Sequence, residues 1–184
     1  STGKMGYAVA AAARRLGAEV TLVSGPTEIP DLAGIDTTRV VDAEQMSAQV
    51  LRCARRADVV VMAAAVSDFR PVNRAAEKLE KAGDEGLSLK MERTPDILEG
   101  LRGVPGERTL VGFAAETSDL EGRAREKLER KGCDLIVANL VGRAGTGFAA
   151  DTNEVIILDR FGGRTECGPA PKAEIATAVV DAII

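Results

Sequence analysis

Apolar residues along this chain fall into two kinds of segment. Short continuous apolar runs predict strands buried on both faces, and apolar residues three and four positions apart predict helices. The predicted strands are Val20–Ser24, Asp58–Ala63, Leu87–Met91, Thr109–Ala114, Asp134–Ala138 and Glu154–Leu158. The predicted helices are Tyr7–Leu16, Glu44–Ala57, one starting at Thr94 as N-cap with Pro95 in its first turn, Leu120–Lys131 and Lys172–Ile184. This alternation indicates one α/β domain over residues 1–184, Rossmann-like, with a mostly parallel sheet and helices on both faces.

The first segment of the chain resembles the start of a mononucleotide-binding unit. The run Ser1-Thr2-Gly3-Lys4-Met5-Gly6 leads directly into the first helix, so its backbone N–H groups and Lys4 would attract an anion. Gly3 would let a phosphate approach the backbone closely. A tight turn without a ligand is the alternative interpretation. Because a helix comes first, we expect the first strand of the unit to lie upstream of Ser1.

Composition limits the partners and the catalytic sites that this chain can have. The chain has 45% apolar and only 3% aromatic residues, which indicates a core of Val, Ile, Leu and Ala. A net charge of −4 disfavours nucleic acid as a partner, and no apolar run reaches the roughly 18 residues that span a membrane. With three widely spaced cysteines, reduced thiols in a cytoplasmic protein are expected. The absence of histidine excludes Ser-His-Asp catalysis and the usual zinc sites.

Several other positions allow two interpretations each. The charged run Glu77–Lys81 is either a solvated surface segment or a source of cations for a ligand. Phe113 is either a core aromatic or part of a nucleotide pocket. Lys127 and Lys131 lie four apart on one helix, facing either solvent or a polyphosphate. The glycine-rich stretch 142–153 is either a lid or a plain connection.

Six motifs together carry a family resemblance. They are Ser1–Gly6, Ala63–Phe69, Glu77–Lys81, Thr94–Leu98, Val111–Thr117 and Asp134–Asn139. In this order and spacing the chain resembles the phosphopantothenate–cysteine ligase domain of the bacterial bifunctional coenzyme A biosynthesis protein. The family's flavin-dependent decarboxylase half, which carries FMN, has no counterpart in these 184 residues. The family's Asn before the first motif, and its upstream strand with a Gly-Pro-Thr turn and an Arg, also lie outside them.

The resemblance implies a reaction in two halves. CTP, with magnesium carried on its triphosphate rather than on a protein metal site, activates the carboxylate of 4′-phosphopantothenate as an acyl-cytidylate. The amine of L-cysteine then displaces CMP. The resemblance also implies a homodimer, and a larger assembly in the bifunctional protein.

The family pattern assigns roles residue by residue. It implies a nucleotide site at Met62, Ala63, Ala64, Asp68, Lys78, Pro95, Asp96, Ile97, Leu98, Phe113, Lys127 and Lys131. Lys78 would stabilise charge on the transferring phosphoryl group and is the expected catalytic residue. Gly3 and Lys4 are phosphate-loop candidates.

Two other functions remain open from the sequence. An NAD(P)-dependent Rossmann oxidoreductase would need a clean G-x-G-x-x-G after a strand and an acidic residue at the next strand's tip, and the sequence has neither. A non-catalytic nucleotide-binding module would keep the pocket without needing Lys78.

Overall fold

A five-stranded sheet forms the centre of the molecule. The computed structural model describes residues 2–73, 75, 77, 86–116, 118–140 and 150–184. The central sheet has the order β3-β6-β7-β8-β9. Its strands are β3 Val59–Met62, β6 Thr109–Glu116, β7 Leu135–Leu140, β8 Thr152–Asp159 and β9 Arg164–Pro171. The first three strands are parallel, and β8 and β9 continue the sheet antiparallel.

Two strand pairs stand beside this sheet. The strand β1 Thr21–Ser24 pairs in parallel with β2 Asp36–Arg39. The strand β4 Phe69–Pro71 pairs antiparallel with β5 Met91–Arg93 and makes a short arm. The helices are α1 Lys4–Arg15, α2 Ala43–Ala54, α3 Ile97–Arg102, α4 Leu120–Lys131 and α5 Lys172–Asp181.

Helices cover both faces of the sheet, as predicted. Along β7, Leu135 and Val137 pack into a cluster with α1 and α5, whereas Ile136 and Ala138 pack into a cluster with α4. A third cluster joins α2 and α3 to Leu110 of β6. The α/β fold class is therefore confirmed, and α4 has the predicted bounds.

Several local expectations are wrong. Thr94 does not cap α3, because its hydroxyl bonds the carbonyl of Ser67 and the carboxylate of Asp96 takes the cap position instead. The stretch after Ala64, expected to be irregular, contains β4, and the strand expected at Leu87–Met91 begins at Met91. The strands β2 and β9 were not expected.

The strands β1 and β3 lie between the same helix layers without pairing. Val23 of β1 and Val60 of β3 pack against the α2–α3 cluster. On the other side, the hydroxyl of Tyr7 in α1 lies 3.0 Å from that of Ser24 in β1. Among the described residues β3 pairs only with β6, which leaves its other edge free and its side chains less buried than expected. The strand expected upstream of Ser1 stays a prediction.

Candidate functional site

The candidate site lies at the edge where the parallel strands end. Ligands bind in open α/β sheets outside the carboxyl ends of the strands. Met62 is the last residue of β3 and is paired with Gly112, so Ala63 and Ala64 leave the sheet beside Phe113 and the end of β6. Met62 and Ala63 are half-buried and Ala64 is exposed. This edge therefore presents backbone and small side chains to a ligand.

The start of α3 borders this edge through Asp96. The Asp96 carboxylate accepts a hydrogen bond from the Glu99 N–H at 3.2 Å and forms an ion pair with Lys131 of α4. Burial would raise the pKa of Asp96, but the hydrogen bonds from Lys131 and Glu99 outweigh burial and lower it. The helix start is thus fixed to α4 by one charged contact.

The neighbouring residues of α3 contribute differently. Pro95 is exposed, whereas Ile97 is 4% exposed and Leu98 packs against the core. Any contact from Ile97 to a ligand would have to come from its backbone. The two apolar residues hold the helix start in place.

Lys127 reaches the strand rather than solvent. Its Nζ donates to the carbonyl oxygen of Phe113 at 2.7 Å. Burial lowers the pKa of the Lys127 ammonium, and the charge of Glu116 only partly opposes this effect. The Phe113 ring is half-buried against the α1–α5 cluster, so it serves the core as well as the edge. Both lysines of α4 therefore already have protein acceptors, which a polyphosphate would have to replace.

The start of α1 approaches the same edge. A Cβ added at Gly6 would lie 3.6 Å from the Cβ of Ala63, which places the first turn of α1 beside the end of β3. Gly3 has a φ of 78°, a left-handed conformation that favours glycine. Lys4 Nζ lies 2.7 Å from a carboxylate oxygen of Asp151, and this hydrogen bond lowers the pKa of Asp151.

Sequence reasoning missed the part of this region that β8 and α5 contribute. Asp151 precedes β8, and Lys172 begins α5 with its side chain 7% exposed and its Nζ donating to the carbonyl of Ala150. Burial and the charge of Lys4 lower the pKa of Lys172. The two lysines and Asp151 are brought together only by the fold. The acidic residue near the end of the glycine-rich stretch 142–153 of the sequence was the available signal.

Two predicted site residues remain, Asp68 and Lys78. Asp68 is exposed, and its carbonyl accepts the Thr94 N–H at 3.0 Å, which ties this segment to the approach to α3. Lys78 lies outside the described residues.

Within the described residues, the acidic and cysteine side chains do not form a metal site. No group of three His, Cys, Asp or Glu residues there could hold an ion. In the same part of the chain, no helix is long and apolar enough to cross a membrane.

The fold defines a Rossmann-like α/β domain, and the ends of its parallel strands are its candidate ligand site. The chain belongs to the family described as the DNA/pantothenate metabolism flavoprotein C-terminal domain, which matches residues 1–184. The family resemblance found in the sequence is therefore confirmed.

Relatives and solved structures agree with this assignment. Coenzyme A biosynthesis bifunctional protein CoaBC of Bacillus subtilis is 44% identical over 184 residues, covering 100% of this chain and 45% of that protein. CoaBC of Mycobacterium tuberculosis H37Rv is 42% identical over 195 residues, covering 100% and 46%. This chain thus spans about half the length of these curated relatives.

Two crystal structures have the same fold. The C-terminal domain of a CoaBC protein is 37% identical with a TM-score of 0.83, covering 100% of this chain and 82% of that one. The DNA/pantothenate metabolism flavoprotein from Streptococcus pneumoniae is 20% identical with a TM-score of 0.80, covering 100% and 88%, and supports the fold alone.

Proposed function

We propose that this domain is a ligase of coenzyme A biosynthesis, joining 4′-phosphopantothenate to L-cysteine with CTP. The observation that carries the proposal is the pair of lysines on α4, since Lys127 donates to the Phe113 carbonyl beside the end of β3 and Lys131 pairs with Asp96 at the start of α3. A reaction between a triphosphate and a phosphorylated acid requires such cations. The relatives named for coenzyme A biosynthesis support the same function.

The proposed reaction needs positioned charge more than acid–base groups. A carboxylate oxygen of 4′-phosphopantothenate attacks the α-phosphorus of CTP, and the bond to the β-phosphate oxygen breaks to release pyrophosphate. The cysteine amine then attacks the acyl carbon, CMP leaves, and the ammonium proton passes to water. The lack of histidine in the chain suits this chemistry.

The residues at the edge have distinct roles in this proposal. The backbone of Met62–Ala64 forms hydrogen bonds with the cytosine base, and Asp68 accepts hydrogen bonds from the ribose hydroxyls. Lys127 and Lys131 exchange their present acceptors, the Phe113 carbonyl and Asp96, for phosphate oxygens. Lys78 neutralises the charge that grows on the phosphoryl group in the transition state.

In this proposal magnesium is bound to the triphosphate of CTP and not to a metal site of the protein. The described carboxylates do not fit a resident divalent site, since Asp96 is paired with Lys131 and no group of three donors occurs among the described residues. FMN would belong to a separate decarboxylase half, as in the bifunctional family.

We also propose a homodimer that forms through the β4–β5 arm. Directly opposite strand residues share a face, so Phe69 and Arg93, and Pro71 and Met91, lie on one side of the arm. On the other side Arg70 forms an ion pair with Glu44 of α2 at 2.6 Å, so that side of the arm faces α2. The first side is exposed and is apolar apart from Arg93, and Leu89, two residues before Met91, is 54% exposed. An apolar face of this kind is self-complementary across a two-fold axis.

Nucleotide selectivity tests the site. CTP should raise the melting temperature of this chain far more than ATP or NADPH, because an edge built to hydrogen-bond one base rejects others strongly. Equal stabilisation by CTP and ATP would contradict cytosine recognition. Stabilisation by NADPH alone would favour an oxidoreductase.

Lys78→Gln tests the chemistry. In the protein that includes the segment upstream of Ser1, single-turnover pyrophosphate release from CTP and 4′-phosphopantothenate should fall about 10²–10³-fold, with CTP affinity nearly unchanged. Lys90→Gln, at an exposed lysine next to the arm, is the control. An unchanged rate in Lys78→Gln would support a non-catalytic role for this lysine.

A further inference from the structure

A groove lies between α2 and α3, away from the strand ends. This groove has a volume of about 560 Å³, within the range of small-molecule sites. It is lined by Ala48, Leu51, Arg52, Arg55, Gly100, Gly103, Val104 and Pro105. It lies toward the C-terminal end of α3, whereas Asp96 of the candidate site is at the N-terminal end.

Two glycines give the groove its shape. A Cβ added at Gly100 would lie 3.3 Å from Leu51, so the glycine lets α3 approach α2 closely. Gly103 has a φ of −84°, which any residue can adopt, and a Cβ there would meet only the Gly100 carbonyl at 3.5 Å. The backbone therefore does not require glycine at 103, but its missing side chain leaves the groove open.

The two arginines at the groove have no carboxylate partner among the described residues. Arg52 donates from Nε and Nη2 to the amide oxygen of Gln49, at 2.9 and 2.7 Å, and Arg55 has no side-chain partner there. Some described arginines have such partners, for example Arg39 with Asp31 and Arg160 with Asp134, whereas Arg56, like Arg52 and Arg55, has none among the described residues. A guanidinium next to an apolar surface and without a counter-ion favours an oxyanion ligand.

We propose that this groove binds a small amphipathic anion. Arg52 and Arg55 would bind its carboxylate or phosphate, and its apolar body would lie against Leu51, Val104 and Pro105. The alternative is that both arginines only stabilise the C-terminal end of α2. Arg56 is the next residue along and does not line the groove, so it separates the two explanations. The proposal is independent of the ligase function.

Titration of the chain with octanoate and with octyl phosphate, followed by amide NMR shifts, tests the groove. Saturable shifts centred on Gly100 and Gly103 are expected with at least one of the two anions, and which of them binds identifies the head group. Octanol should bind about tenfold more weakly or not at all. No saturable shift with either anion, or equal binding of octanol, would overturn the proposal.

Amino-acid substitutions test whether the anion binds in the groove. The double variant Arg52→Gln, Arg55→Gln should weaken the anion about tenfold or more, and Arg56→Gln should leave it within about twofold. Ala48→Phe, at an exposed position of α2, should fill the groove and abolish the shifts with the fold intact by circular dichroism. Equal weakening by Arg56→Gln would show a general charge effect and refute the site.

Discussion

The centre of the five-stranded sheet and its β3 edge differ in how completely they are enclosed. The central strand β7 lies between β6 and β8, with helices on both faces, and Ile136 and Val137 are 0% exposed. The strand β3, at one edge of the sheet, pairs only with β6 among the described residues, and Val60 is half-buried. The centre is a closed core, whereas the β3 edge is incompletely covered.

The candidate site lies at the incompletely covered β3 edge of the sheet. Met62, Ala63 and Ala64 continue from β3, and α1 approaches them at Gly6. Exposed backbone groups and partly buried cations can bind a ligand, but they stabilise the fold less than a packed interior does. The packed centre of the sheet therefore contributes more to the free energy of unfolding than the β3 edge does.

The same deletion at the centre of the sheet and at its β3 edge should give the largest difference. Val137→Ala removes two methyl groups from a fully buried site and should lower the free energy of unfolding by about 2–3 kcal/mol. Val60→Ala makes the same change in β3 and should cost less than about 1 kcal/mol. Urea unfolding measures both. Equal losses would show that β3 is as well packed as β7.

The arm provides the next test, because it too exposes apolar surface outside the closed core. Met91→Glu would place a charge on the apolar side of the arm and should weaken a dimer by about tenfold or more. Lys90→Glu changes charge at the adjacent position, which alternation turns to the opposite side, and is the control. Sedimentation equilibrium measures both, and a monomeric parent protein would refute the proposed dimer.

Sequence patterns predicted the closed core better than the edges. The helix α4 has apolar residues four positions apart, the strands β6 and β7 are nearly continuous apolar runs, and their packing agrees with these patterns. The strand β2 reads Asp-Thr-Thr-Arg and has no apolar signal. The strand β9 contains Gly168 and two prolines, which argue against a strand except at a sheet edge, where β9 lies.

The site was predicted in outline but not in its contacts. The four-residue spacing of Lys127 and Lys131 correctly put both on one helix face, but the acceptors, the Phe113 carbonyl and Asp96, come from other elements. Lys4 and Asp151 are 147 positions apart, so no local pattern joins them. The cap of α3 was displaced from Thr94 because Ser67 bonds its hydroxyl, a tertiary contact that propensity does not include.

Lys127 should matter more for ligand binding than for stability. Lys127→Met keeps the long apolar stem but removes the charge that burial disfavours, and it also removes the hydrogen bond to Phe113. These effects oppose each other, so the free energy of unfolding should change by less than about 1 kcal/mol. CTP affinity should fall about tenfold, measured by calorimetry. A large stability loss with unchanged CTP affinity would make Lys127 a structural residue.

The smallest expected effect concerns the charge on Asp96. Because the folded-state pKa of Asp96 is lowered, its ionised form contributes stability above the unfolded-state value near pH 4, and this contribution is lost as pH falls through the folded-state pKa. Asp96→Asn keeps a cap acceptor but removes the ion pair with Lys131. It should therefore cost a fraction of 1 kcal/mol at pH 7, since the pair is partly exposed and screened, and less at pH 2. Asp42→Asn is the matched control, because Asp42 caps α2 through the Gln45 N–H at 2.8 Å and has no ion pair among the described residues. Thermal unfolding at both pH values measures the difference, and an equal pH dependence in the two variants would mean that Lys131 contributes nothing to the start of α3.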